Sequence, residues 1–385
     1  MNSKYEQQFL DYASKLDAIA ETHGELTTLA SAIVENKEDE KIKELFGRIS
    51  ELTKDSDSPH LKEIKHISKA VKDSLMSYYG YLELKRICEK EDMPEDNRSM
   101  DQLQAELNEL VGLKMVKEKV GELLAYQSVQ VKRRQVGLNS EKTTMHMAFT
   151  GNPGTGKTTV ARIIGRMYKK IGLLSKGQFI EVSRTDLIAG YQGQTAIKVK
   201  KVIENAKGGV LFIDEAYSIT ENDHSDSYGR ECLTELTKAL EDYREDLVVI
   251  VAGYTEPMEK FFESNPGLKS RFNTFIEFGD YNSSELLEIL ELMCKKNDYV
   301  LSKPLENRLS GVLGEICEDK EENFANARLV RNLFDDMTMM HAKRVDRIDN
   351  PTVEDLSTIL NEDCTDSILD ELRYQSVNSK TEGNE

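Results

Sequence analysis

The sequence predicts an α/β protein: a mostly parallel sheet flanked by helices, preceded by an all-α N-terminal domain and followed by a helical lid. Three observations predict it. Between about residues 103 and 280, short apolar runs alternate with helix-patterned stretches, which lays strands side by side in parallel with crossover helices on both faces. One run, 145–150, leads into a glycine-rich octapeptide and then a helix-like run, 160–168. Outside this region apolar residues recur only at three- and four-residue spacing.

Taken in order, residues 1–98 form the helical N-terminal domain. One stripe runs Tyr5, Phe9, Tyr12, Leu16 and Ile19; a second runs Ile42, Leu45, Phe46, Ile49 and Leu52; a third runs Ile64, Ile67, Val71, Leu75, Tyr78 and Leu82. Turn residues break them at His23-Gly24 and at 55–59. The polar stretch 89–99, with Pro94 inside it, reads as a linker. The α/β core, 99–280, carries strand runs at 145–150, 178–182, 210–213, 247–252 and 275–278. Beyond Tyr281 no strand is expected. Ser283 and Ser284 are placed to cap a helix through residue 292, and helical stripes follow at 305–316 and 330–340, so 281–365 is the lid. Residues 353–385 hold nine acids against two bases, and 366–385 reads as an acidic, disordered tail.

A net charge of −18 over 385 residues argues against general affinity for nucleic acid or an anionic membrane. Basic clusters such as Lys132-Arg133-Arg134 read as solvated helix faces. The five cysteines are scattered and lack metal-ligand spacing, so they read as free thiols in a reducing compartment. No apolar run reaches the roughly 20 residues that span a bilayer, and residues 1–20 show no apolar signal segment. A cytoplasmic protein without membrane insertion is the expectation.

The octapeptide Gly151-Asn152-Pro153-Gly154-Thr155-Gly156-Lys157-Thr158 is a phosphate-binding loop. Its glycines let backbone N–H groups close around phosphate oxygens, Lys157 reaches the β- and γ-phosphates, and the Thr158 hydroxyl suits Mg²⁺. The following helix turns its positive end toward the same anion. The run Val210-Leu211-Phe212-Ile213-Asp214-Glu215 ends an apolar strand in two carboxylates. Asp214 falls near the cation bound by Thr158, and Glu215 is placed to deprotonate an attacking water. The chemistry expected is hydrolysis of a nucleoside triphosphate with Mg²⁺.

Together these residues resemble the AAA+ ATPase superfamily of P-loop NTPases over roughly residues 103–360. They look closest to the group containing stage V sporulation protein K, red-type rubisco activase and type VII secretion ATPases. Further stretches carry the resemblance: Leu110-Val111-Gly112-Leu113, Val251-Ala252-Gly253-Tyr254 and Asn265-Pro266-Gly267-Leu268-Lys269-Ser270-Arg271-Phe272. It implies that Val111 and Gly112 lie beside the adenine and that Asn152, Pro153, Gly154, Thr155, Gly156, Lys157, Thr158 and Thr159 hold the phosphates. It also implies that Arg271 is an arginine finger reaching a neighbouring subunit's γ-phosphate. Arg328 resembles the lid arginine that reports nucleotide state, although Ala325 stands where the family often has glycine, and Arg331 competes with it. The water-orienting position at the end of the fourth strand stays open between Tyr254 and Thr255.

Tyr191, Gln192 and Gly193 sit where such remodellers carry a pore loop that grips polypeptide through an aromatic ring; the polar loop 221–229 would be a second. A finger supplied in trans implies a homo-oligomeric ring, most often a hexamer. The implied function is an ATP-dependent protein remodeller acting on a protein substrate. The alternatives are a nucleotide-dependent scaffold that recruits partners through residues 1–98, and a DNA-acting motor, against which the charge and the aromatic loop argue. The helical segment 1–98 is longer than the extension of the rubisco activases and far shorter than that of the secretion ATPases, which favours a sporulation-type or generic relative and makes it the candidate partner selector.

Overall fold

The computed structural model describes residues 3–20, 22–35, 41–54, 60–79, 98–139, 144–190, 193–220, 227–263, 265–320 and 323–377. The chain divides into two units, Met1–Asp96 and Asn97–Glu385.

Among the described residues the first unit has helices α1 (Ser3–Ala20), α2 (Glu25–Glu35), α3 (Lys41–Lys54) and α4 (Leu61–Tyr79). Helix α1 packs on α2 and α4, and α3 on α2 and α4. The stripes meet in one core, where Phe9, Leu16, Leu26, Ile42, Leu45 and Ile49 are wholly buried. His23 and Gly24 turn the chain with positive φ. Asp17 then caps α2 across the turn, its carboxylate accepting from the N–H groups of Leu26 (3.0 Å) and Thr27 (2.6 Å). An acid there satisfies N–H groups that lack a helical partner and meets the positive end of the helix.

The second unit opens with α5 (Met100–Glu109) and α6 (Lys114–Gln135), then β1 (Met147–Gly151), α7 (Lys157–Lys170), β2 (Phe179–Val182), α8 (Arg184–Leu187) and α9 (Gln194–Ala206). It continues with β3 (Val210–Ile213), α10 (Ser227–Asp242), β4 (Val248–Gly253), α11 (Thr255–Glu263), α12 (Pro266–Lys269) and β5 (Thr274–Phe278). The strands form one sheet in the order β2-β3-β4-β1-β5, every pair parallel. Alternate residues feed two cores. Phe149, Val210, Phe212 and Ile250 join the face covered by α6 and α7, while Ala148, Leu211, Ile213 and Val249 join the opposite face. Burial on both sides is why β1, β3 and β4 are apolar nearly throughout, whereas the edge strands β2 and β5 expose Glu181, Phe275 and Glu277. Each large buried side chain contributes about 1.5–3 kcal/mol. Gly165 lets α7 approach β3 closely, since a Cβ there would lie 2.8 Å from Val210 Cγ2.

The lid comprises α13 (Ser283–Lys296), β6 (Val300–Leu301), α14 (Lys303–Glu318), α15 (Ala327–Val345), α16 (Val353–Ser357), β7 (Thr358–Ile359) and α17 (Asp366–Val377). Three expectations are corrected here. The cap of α13 is Asn282, not Ser283 or Ser284. Asn282 Oδ1 accepts the Glu285 N–H at 3.0 Å, and the Glu285 carboxylate accepts the Asn282 N–H at 2.9 Å, a reciprocal pair that starts the helix at Ser283. Strands do occur past Tyr281, because β6 and β7 pair in parallel. Residues 366–377, expected to be disordered tail, form α17, which buries Leu369 and Leu372 in the lid core. Two leucines one turn apart were enough for docking despite the surrounding acids.

Candidate nucleotide site

The phosphate loop joins the carboxyl end of β1 to α7. Gly154 (φ +70°) and Gly156 (φ +95°) take left-handed backbone, which side chains disfavour, and α7 begins at Lys157. Beside it opens a cavity of about 460 Å³. Gly151, Pro153, Gly154, Thr155, Gly156, Lys157, Thr158 and Thr159 line one wall, and Asp214 and Glu215 at the end of β3 line another. Val111 lines it ahead of α6, and Arg328 and Arg331 enter from α15. The structure thus brings together residues as far apart in the chain as 111, 157, 214 and 328.

Lys157 is the central cation. Its Nζ donates to the carbonyls of Gly151 and Asn152, each at 2.8 Å. Burial pushes its pKa down to about 8; Asp214 pulls it back up, and Arg328 pushes it further down. A desolvated ammonium held by neutral carbonyls is prepared for an anion. The Arg328 charge acts on Lys157 from the lid, and Arg331 lines the same cavity.

Glu215 carries unusual backbone for a non-glycine residue, φ +46° and ψ +46°, and its N–H donates to Asp214 Oδ1 at 3.0 Å. Such conformations persist only where the surroundings impose them. Here the turn after β3 brings both carboxylates to the cavity wall. Of the two residues left open at the end of β4, Tyr254 lines the cavity and Thr255 opens α11. The Tyr254 phenol is raised in pKa by burial and then by the Glu215 charge.

Neither Asn152 nor Gly112 is among the residues that line the cavity. The Asn152 side chain instead donates from Nδ2 to Asp280 Oδ1 at 2.9 Å. Gly112 (φ +59°) lies against the lid, where a Cβ would come 2.4 Å from Glu285 Oε1. Arg271 also does not line the cavity. Its guanidinium donates from Nη1 to the Gly267 carbonyl, and Nε is buried without a hydrogen-bond partner, 4.0 Å from Glu241. Gly193 starts α9 with φ +79°, whereas Tyr191 and Gln192, and 221–226 of the proposed second loop, lie outside the described residues.

Sequence reasoning missed the apolar wall. Leu113, Tyr281, Ile289, Leu292 and Met293 line the cavity from the turn before α6 and from the lid. Only adjacency to Val111-Gly112 could have pointed to Leu113; the lid residues read as ordinary helix stripe. Apolar surface opposite a phosphate loop suits a flat base. Thr158 and Asp214 both line the cavity and offer oxygen donors for a divalent cation, and among the described residues no cluster of three or more His, Cys, Asp or Glu could hold a metal alone. That sparse set fits Mg²⁺, which keeps waters and draws its other ligands from substrate phosphates. Among the described residues no helix is long and apolar enough to cross a membrane.

Comparison with known proteins bears on this geometry. Residues 147–280 match the ATPase family associated with various cellular activities (AAA), and residues 282–373 match the AAA lid domain. The chain is 41% identical to Protein CfxQ of Xanthobacter flavus over 267 residues, 69% of this chain and 81% of that protein. It is 39% identical to Stage V sporulation protein K of Bacillus subtilis over 265 residues, covering 69% and 82%. It is 42% identical to the chloroplastic ribulose bisphosphate carboxylase/oxygenase activase of Cyanidioschyzon merolae over 237 residues, covering 62% and 80%.

Proposed function

Because the chain belongs to the AAA ATPase family and hydrolyses ATP, we propose that it is a protein remodeller whose ATP sites are completed between the subunits of a ring. One observation carries this reading. Every catalytic group expected from the sequence lies in a single cavity except Arg271, which stands apart with its Nε 4.0 Å from Glu241. An arginine needed for γ-phosphate charge but absent from its own subunit's cavity serves a neighbour's. A closed ring, in the family most often a hexamer, gives every site such a neighbour.

Within each site Val111 borders the base, together with the apolar wall. The loop from Asn152 to Thr159 holds the phosphates through its backbone, and Lys157 turns from the Gly151 and Asn152 carbonyls to the β- and γ-phosphates. Thr158 and Asp214 would hold Mg²⁺, which when bound offsets charge on the phosphate oxygens. Glu215 accepts a proton from the attacking water, oriented by Tyr254 rather than Thr255. Arg328 carries the state of the site to the lid. Tyr191, Gln192 and Gly193 are assigned to the pore loop that grips polypeptide, and residues 1–98 to choosing it. A relative named as the activase of another enzyme supports a protein as the substrate.

The test is Glu215→Gln. Removing the general base is expected to slow turnover by about 10²–10⁴ while ATP and ring assembly are retained. Protein substrate should co-purify with this trapped form, and the set recovered should change when residues 1–98 are deleted. A Glu215→Gln form that keeps the protein's full function without turnover would mark the protein as a scaffold. DNA binding that weakens steeply with salt would favour the DNA motor.

A further inference from the structure

Asp280 stands at the hinge, between β5 and the cap of α13. Its Oδ1 accepts two amide donors at once: Asn152 Nδ2 of the phosphate loop at 2.9 Å and Asn326 Nδ2 of the lid at 2.8 Å. Its Oδ2 faces Lys320 Nζ at 3.4 Å. Asn326 is wholly buried with a positive φ (+49°), and its Oδ1 accepts the Tyr281 N–H at 2.9 Å. The same seam is joined three times more, first by Asn326 Nδ2 donating to the Pro153 carbonyl at 3.3 Å. Tyr281 Oη donates to the Thr155 carbonyl at 3.2 Å, and the Ala327 N–H donates to the Gly154 carbonyl at 3.3 Å.

Oδ1 has two lone pairs and both are used, so its position is set jointly by loop and lid. Bonds to a charged carboxylate are the stronger kind and hold that geometry. We propose that Asp280 is a positioning residue that transmits the state of the phosphate loop to the lid, along a route distinct from Arg328. The trigger is in place, because Lys157 Nζ holds the Asn152 carbonyl at 2.8 Å. When the ammonium turns to phosphate it releases that carbonyl. The backbone at Asn152 shifts, its side chain carries Asp280 with it, and Asp280 carries Asn326 at the head of α15. This rests on the nucleotide reading of the cavity.

The experiment is hydrogen–deuterium exchange on the full-length protein with and without saturating ADP, read at 151–159 and at 323–331. Slowing at 151–159 reports binding itself; its absence in the wild type would remove the premise and the proposal with it. In the wild type both segments should slow. Asp280→Ala should keep the slowing at 151–159 but lose at least about tenfold of it at 323–331, with kcat falling while KM stays within about threefold. Asp280→Asn, which keeps an acceptor at Oδ1, should recover most of the coupling. Asn152→Ala leaves the Asp280–Asn326 pair intact and should also uncouple the lid, and it decides the matter if Asp280→Ala fails to melt cooperatively. Wild-type slowing at 323–331 in either folded alanine variant overturns the proposal.

Discussion

Raising the pH from 7.5 to 9 should weaken ADP binding by roughly eightfold, and the cause is Lys157. In the ligand-free fold its pKa is pushed down to about 8, chiefly by burial. Against an ordinary value near 10.5, this makes the charged lysine about 3 kcal/mol less favourable in the fold than in water. At pH 7.5 about three-quarters of molecules carry the charge, and at pH 9 about one in eleven. Phosphate stabilises the ammonium and returns its pKa to the ordinary range or above. Binding therefore takes up protons, and the affinity is full below the ligand-free pKa and falls as pH rises through it. Calorimetric titration with ADP in EDTA removes metal from the comparison. Repeating it at pH 8 in two buffers of different ionisation heat should show uptake of about half a proton. Lys157→Arg, charged throughout, should bind with a flat pH profile. An affinity constant from pH 7.5 to 9 in the wild type would refute the reasoning, as would the same slope in Lys157→Arg.

Arg271→Ala should lower kcat by about 10³ or more if the finger acts on a neighbour's phosphate. Mixing it with inactive Lys157→Ala subunits should restore part of the turnover, and no restoration in mixed rings would refute a finger acting on a neighbour's site. Gly154→Ala forces an unfavourable backbone and brings Cβ to 2.4 Å from the Ala325 carbonyl and 2.7 Å from the Arg328 nitrogen. Urea melts should show a loss of at least about 1–2 kcal/mol. Gly193→Ala, whose Cβ meets nothing within 4 Å, should cost only the conformational part. His146 is wholly buried, with Nε2 bonded to the Leu240 carbonyl at 2.9 Å and Nδ1 accepting the Val249 N–H at 3.1 Å. That tautomer follows from its partners, and burial pushes its pKa down to about 4. The neutral ring's contribution is full above about pH 6.5 and is lost as pH falls toward 4, about 2–3 kcal/mol by pH 4.5. Urea melts at pH 7 and 4.5 should show this difference, reduced in His146→Gln.

What was legible in the sequence was local. The phosphate loop is eight consecutive residues between a strand and a helix, and Asp214 and Glu215 follow directly on their strand, so spacing along the chain is spacing in space. The three central strands were visible because a parallel sheet covered on both faces requires apolar residues at nearly every position, and the edge strands β2 and β5 showed as short apolar runs interrupted by Glu181 and Glu277. Their ends differed by a residue or two, since Gly151 and Gly253 extend β1 and β4 by backbone pairing that composition does not reveal. Helix α2 carries no stripe that was read, though Leu26, Ile33 and Val34 are buried in it.

The rest required distant pieces of chain to meet. Asn152 sits in a loop that reads as a ligand set, yet its side chain leaves the cavity for Asp280, 128 residues away, and nothing in the octapeptide announces that. Asn326 reaches the Pro153 carbonyl across 173 residues at 3.3 Å, and Tyr281 reaches the Thr155 carbonyl across 126. The apolar wall at Ile289, Leu292 and Met293 is written as ordinary lid helix; only the angle at which the lid lies over the loop turns it toward the cavity. Residues adjacent in sequence thus determined that a triphosphate is held and cleaved. Tertiary packing alone decided how that site is walled, and which buried polar groups tie it to the lid, because a hydrogen bond is set by positions in space to within tenths of an ångström and sequence order does not encode them.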